Sequence, residues 1–126
     1  MNIYFVIACL LGALAVGLGA FGAHGLKPLL DSYQTEIYQK AVFYHLAHVL
    51  IVVVLSSTEN SNRFLWANIL FIAGIILFSG SLYLLATAHL TGIPSKIIGP
   101  VTPLGGLCFI AGWLVAGWTA MTKGIR

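Results

Sequence analysis

The 126-residue chain is 60% hydrophobic and only 7% charged, with a formal net charge of +3. Soluble domains carry about 25% charged residues, so this composition excludes a protein with water on every side. The basic residues are scattered along the chain with no cluster, which argues against nucleic-acid binding and suits membrane boundaries.

The first apolar run predicts a helix over about residues 3–23, long enough to cross a bilayer core. It lacks a basic leading segment and exceeds the apolar core of a signal peptide, so it is expected to remain as a helix. Ala8, Gly12, Ala15, Gly19 and Gly22 recur every three or four residues on one face, and Ala13, Gly17 and Ala20 make a second small face. Small residues let membrane helices approach closely, so this helix is expected to be central and packed on more than one side.

The connection from His24 to Tyr38 carries Leu26, Leu29, Leu30 and Tyr33 in an amphipathic pattern suited to the interface. Glu36 and Lys40 form a favourable i,i+4 pair, which predicts a second helix over about 36–55 capped by Thr35. Its first half holds Phe43, Tyr44, His45 and His48, and its second half is apolar all round. A polar turn rich in Ser, Thr and Asn follows. The third helix is expected over about 64–87, interrupted past its middle by Ser79, Gly80 and Ser81. A connection with His89, Pro94, Lys96 and Gly99-Pro100 leads to a fourth helix over about 102–121, with Thr102 as cap and Pro103 in its first turn. Gly105, Cys108, Gly112 and Ala116 line one face of it, a match for the small face of the first helix. Cys9 and Cys108 lie within apolar runs and read as packing residues.

The expected fold is an all-α membrane protein, a compact bundle of four transmembrane helices in a single integral membrane domain over residues 1–126. Four spans put both termini on one side. That side carries Arg63, Lys123 and Arg126, against Lys27, Lys40 and Lys96 on the other, and cytoplasmic termini are the preferred orientation.

On this topology His24, His45, His48, His89 and Glu36 all fall at one membrane face. Three roles compete for the histidines. They can hydrogen-bond carbonyls and hydroxyls and tie connections down. They can form a proton or ion relay. Or His24, His45 and His48, with Glu36, can hold a metal, although the i,i+3 spacing of His45 and His48 lacks the zinc-protease pattern. The start of the fourth helix is a second candidate, for an anion or lipid headgroup at Lys96, Thr102, Gly105 and Gly106. No acidic residue lies within the spans, and no phosphate loop or nucleophile elbow is present.

Four ordered motifs carry a family likeness: Gly19-Ala20-Phe21-Gly22-Ala23-His24-Gly25-Leu26, Tyr44-His45-Leu46-Ala47-His48, Phe78-Ser79-Gly80-Ser81-Leu82-Tyr83 and Gly99-Pro100-Val101-Thr102-Pro103-Leu104-Gly105-Gly106. Together they resemble the small four-helix membrane proteins of domain-of-unknown-function family 423, over nearly the whole chain. The resemblance implies that residues matching His24, Tyr44 and His48 recur, and that glutamine often replaces His45. Glutamine is a poor zinc ligand, so that exchange suits hydrogen bonding. His89 lies outside the motifs and is set aside.

The expectation is therefore a polytopic bacterial cytoplasmic-membrane protein without cofactor. A polar cluster of His24, Tyr44, His45, His48, Ser79, Ser81, Tyr83 and Thr102 closes one face. The expected role is non-enzymatic: membrane integrity, or binding of membrane lipids, a further copy or a protein partner, and no nucleic acid. The alternatives are an oligomeric channel or transporter using His24 and His48, and then a metal-binding enzyme.

Overall fold

The computed structural model describes residues 1–125; Arg126, one of the basic residues counted above, lies outside them. Four segments are long and apolar enough to cross a membrane: Ile3–Ala23, Ser32–Ser56, Ser61–Ala86 and Ser95–Lys123. The first is α1 (Ile3–Ala23) and the second α2 (Ser32–Ser56). The third comprises α3 (Leu65–Gly74), a π-helical turn (Ile75–Ser79) and α4 (Gly80–Ala86). The third connection folds into two short helices, α5 (Ala88–Thr91) and α6 (Ser95–Ile98), ahead of α7 (Val101–Lys123). The chain is an all-α bundle of four membrane-capable helices.

The ends of the long helices follow from side-chain chemistry. Asn2 caps α1, its Oδ1 accepting from the Tyr4 N–H, while its Nδ2 donates to the Ser56 carbonyl at 2.8 Å and to Ser61 Oγ at 3.0 Å. One residue thus starts α1 and ties it to the turn after α2. α2 begins a turn earlier than the Glu36–Lys40 pair predicts. Asp31 accepts from the Gln34 N–H and Gln34 Oε1 accepts from the Asp31 N–H, a reciprocal capping box that satisfies two end donors. Thr35 lies inside the helix and is not its cap. α7 also begins earlier than expected, behind Pro100, and Thr102 makes no cap.

Helix packing departs from the sequence expectation. α1 packs on α2, and α7 packs on α3 and the π-helical turn, so α1 and α7 do not form the expected small-residue pair. Nor is α1 central; only 11% of its span is buried within the bundle. The physical reason is that most glycines of the two small faces receive side chains from other helices. A Cβ at Gly22 would strike Tyr38, one at Gly74 would strike Phe109, and one at Gly112 would lie 2.8 Å from Phe71 Cδ1. Gly12 faces Val49 and Gly19 faces Val42, an antiparallel register between α1 and α2.

Gly105 is different, because what it meets is backbone. A Cβ there would collide with the Phe78 N and stand 2.6 Å from Phe78 Cα and 2.7 Å from the Leu77 carbonyl carbon. Phe78 lies in the π-helical turn, whose wider winding inserts one extra residue into the third span. The serine-glycine interruption anticipated at residues 79–81 is this turn, displaced toward the N-terminus and helical rather than broken.

Backbone contact cannot be relieved by a rotamer change. Gly105→Ala should destabilise the bundle by about 1–3 kcal/mol, the usual cost of overpacking. Gly117 has open space around it. Gly117→Ala should shift stability by no more than about 1 kcal/mol, in the stabilising direction. Reversible unfolding in mixed micelles measures both, and equal effects at the two positions would contradict the close crossing.

Candidate functional site

His48 sits in an aromatic box between α2, α3 and α7. Its ring stacks on Phe109 with centroids 3.6 Å apart and planes 10° from parallel, and Phe71, Tyr44 and Trp113 complete the walls. Trp113 Nε1–H can only donate, and it meets His48 Nε2 at 3.2 Å. Nε2 therefore accepts, so Nδ1 carries the hydrogen and donates to the Tyr44 carbonyl at 2.7 Å. Both nitrogens are occupied, and the neutral tautomer is fixed by its neighbours. This imidazole has no lone pair left for a metal or a transferred proton.

His45 turns to a different set of neighbours. It is buried, and its Nδ1 pairs with the Tyr83 hydroxyl at 2.9 Å. The backbone of Leu11 on α1 lies beside the ring, but Nε2 completes no hydrogen bond. Tyr83 stands edge-on to Tyr38, whose hydroxyl donates to the Leu18 carbonyl at 2.5 Å. These bonds stitch α1, α2 and α4 together.

Ser81 and Thr102 form a third group. Their hydroxyls meet at 2.6 Å, and Ser81 also donates to the Phe78 carbonyl. Thr102 thus locks the start of α7 to α4. Ser79 is fully buried with its hydroxyl unpaired, as are Nε2 of His45 and Oδ1 of Asn68.

The single polar cluster expected at one face is thus three separate groups, and His24 belongs to none of them. It ends α1, is exposed, and stands level with the first turns of α2 in the Gly12–Val49, Gly19–Val42 register. His45 lies near the middle of α2, so about eight helical residues, or ~12 Å along the axis, separate it from His24. His45 and His48 accordingly lie toward the middle of the second span and not at its boundary. His24, His45 and His48 do not converge, and among the described residues no three His, Cys, Asp or Glu side chains gather to hold a metal ion. Glu36 is engaged with Lys40 at 3.1 Å on the exposed side of α2.

The anion candidate dissolves for steric reasons. Gly105 is pressed on the Phe78 backbone, Gly106 faces the Phe78 ring, and the Thr102 hydroxyl is engaged by Ser81. Lys96 is exposed on α6, in the connection ahead of α7.

Several structuring residues were not singled out from the sequence. Trp113 is one of them: it stands halfway along α7 and fixes His48. The signal was its i,i+4 spacing from Phe109, which puts both rings on one face. His89, set aside above, bonds both Gln34 and the Leu29 carbonyl.

The family model described as "Protein of unknown function (DUF423)" matches residues 18–106, and the chain belongs to that family. It is 41% identical over 118 residues to the "UPF0382 membrane protein SH2409" of Staphylococcus haemolyticus, covering 91% of this chain and 92% of that one. It is 36% identical over 119 residues to the "UPF0382 membrane protein YwdK" of Bacillus subtilis, covering 91% and 93%. These relatives are bacterial membrane proteins of uncharacterised role, and no solved structure matches the chain.

If His48 is a structural keystone, its loss should cost more than loss of its donor. Trp113→Phe should destabilise by about 0.6–1.7 kcal/mol, the range for hydrogen bonds inside membrane proteins. His48→Ala removes the Phe109 stack as well and should cost about 3 kcal/mol or more. Unfolding by sodium dodecyl sulfate in mixed micelles, read by circular dichroism, checks both values.

Proposed function

We propose that this DUF423 protein is a non-enzymatic membrane protein that holds the acyl chain of an anionic phospholipid. The observation that carries this reading is an apolar recess of about 330 Å³ between α1, α2, α4 and α5. Leu18 and Phe21 come from α1, Leu26 from the first connection, Tyr38 from α2, Tyr83 from α4 and Leu90 from α5. The volume lies in the range of small-molecule sites. The recess lies at the end of the bundle that carries the first and third connections. Lys27 and Lys96 belong to those connections and favour an anionic headgroup. The rings at the bundle centre support the same reading by being committed elsewhere: His48 is bonded at both nitrogens. A channel or transporter running through His24 and His48 lacks that support, given their separation along the bundle.

We place both termini in the cytoplasm. Arg63, Lys123 and Arg126 at that end balance Lys27, Lys40 and Lys96 at the other, and Asp31 and Glu36 weaken the second set only slightly. A carboxy-terminal alkaline phosphatase fusion should accordingly be inactive, and an active fusion would reverse the orientation.

For the lipid reading, the purified protein is exchanged into vesicles of phosphatidylglycerol and phosphatidylethanolamine and then examined by native mass spectrometry. A retained phosphatidylglycerol is expected. Leu18→Trp fills the recess from α1 and should strip that lipid while helical content stays unchanged. Equal retention by the variant and the original chain would overturn the assignment.

A further inference from the structure

We propose that His89, Gln34 and Asp31 form a pH-sensitive latch that pins α5 to the first connection. The donors and acceptors along this chain of groups are determined without ambiguity. The capping box aims Gln34 Oε1 at the Asp31 N–H, 2.9 Å away. The Gln34 amide nitrogen must then face His89, and it donates to Nδ1 at 3.2 Å. Nδ1 therefore carries a lone pair and Nε2 carries the hydrogen. That hydrogen is donated to the Leu29 carbonyl, which can only accept, at 2.9 Å. The neutral imidazole is the form that satisfies every group at once.

A proton on Nδ1 turns the Gln34 contact into donor against donor. Rotating the Gln34 amide would offer its oxygen to His89, but it would point the NH2 group at the Asp31 N–H and break the capping box. Acid thus sets the tie to α5 against the cap of α2, and one of them must open. His89 is exposed, so bulk protons reach it, and imidazole changes charge across the physiological range.

The other titratable or charged groups on the elements meeting there are few. The first connection has Lys27 and Asp31, and Asp31 is held by the Gln34 N–H. The first turns of α2 bring Tyr33, the pair Glu36 and Lys40, and Tyr38, whose hydroxyl donates to the Leu18 carbonyl. α1 ends at His24, α6 brings Lys96, and α4 contributes the Tyr83 phenol, which is bonded to His45. Among the described residues no carboxylate stands within ion-pair distance of His89, and Asp31 turns its Oδ1 to the Gln34 N–H.

α5 is a single turn that ends at Gly92 with φ 74°, and the His89 bonds tie it to α2 and the first connection. Leu90 and Thr91 wall the apolar recess, and opening the latch unroofs it. That consequence rests on the lipid reading above; the latch itself does not.

The test is amide hydrogen exchange of residues 88–92 in the full chain in nanodiscs, at about pH 8 and about pH 5, divided by intrinsic rates. Exchange of α5 should rise about tenfold in acid, the weight of a lost hydrogen bond, with α7 unaffected. His89→Gln should remove the acid response. Gln34→Glu keeps the capping box and gives a protonated His89 a carboxylate, so α5 should become more protected in acid. Equal protection at both pH values in the original chain, an acid response that survives His89→Gln, or an acid-labile α5 in Gln34→Glu would each overturn the latch. Lipid retention at the two pH values is a separate readout: loss of the latch response leaves the recess assignment standing, and an empty recess leaves the exchange result standing.

Discussion

The close crossing of α7 over the π-helical turn at Gly105 is the constraint on which the rest of the arrangement depends. With backbone against backbone at Phe78, the two spans are fixed in register and not merely adjacent. One turn further along α7, Phe109 enters the space over Gly74, and one turn beyond that Trp113 reaches His48. One turn back, Thr102 meets Ser81. A single missing Cβ therefore sets the aromatic box and the hydroxyl pair together. The extra residue of the π-helical turn carries the third span past this contact without ending the helix, consistent with the use of such turns where a backbone must bulge toward a neighbour.

Around that crossing most polar side chains find partners within the bundle, with Ser79 Oγ, His45 Nε2 and Asn68 Oδ1 as the exceptions. A hydrocarbon solvent offers no partners, so interior groups have to find one another. His48 spends both nitrogens on Trp113 and its own helix, Tyr83 spends its hydroxyl on His45, and Ser81 spends its own on Thr102 and Phe78. Each bond joins different elements or braces a helix locally, and none leaves a convergent set of open donors or acceptors. The middle of the bundle is thereby committed to architecture. The recess and the histidine tie both lie toward the face of the first and third connections, where α5 and the short 3-10 turn at Lys27–Leu29 meet.

The four spans were legible because hydropathy over some twenty residues is a one-dimensional property, and the motifs of the family were legible as ordered strings. Helix neighbours were not. Small residues at Gly12, Gly19, Gly105 and Gly112 announce close packing but not the partner, since a glycine can receive either a glycine backbone or a ring. Here most receive side chains, and the inferred α1–α7 pair gave way to α1–α2 and α7–third-span pairs. The histidines were misplaced in depth for a related reason. Setting the start of α2 at Thr35 drew His45 and His48 toward the boundary, while the Asp31–Gln34 capping box moves the start a turn earlier and leaves them mid-span. The S/T/D/N-x-x-E/Q spacing of Asp31 and Gln34 was available in the sequence and outweighs an i,i+4 charge pair, which stabilises but does not start a helix.

That same capping box shows why His89 had no visible role in the sequence. Its importance depends on which way a glutamine amide points, and that direction is set by a backbone N–H on a different connection, more than fifty residues away in the chain. Residue type and spacing cannot convey such a dependence; only the closed chain of donors and acceptors does. The two ends of the bundle are tied differently as a result. At the terminal end, Asn2 holds Ser56 and Ser61, and the Arg63 guanidinium donates to the Lys123 carbonyl, contacts in which no partner changes its donor or acceptor role near neutral pH. At the opposite end the tie runs through an imidazole whose proton is exchangeable with water. The ties at the terminal end thus involve no titrating group, whereas the proposed latch does, and the latch lies at the face that carries the apolar recess.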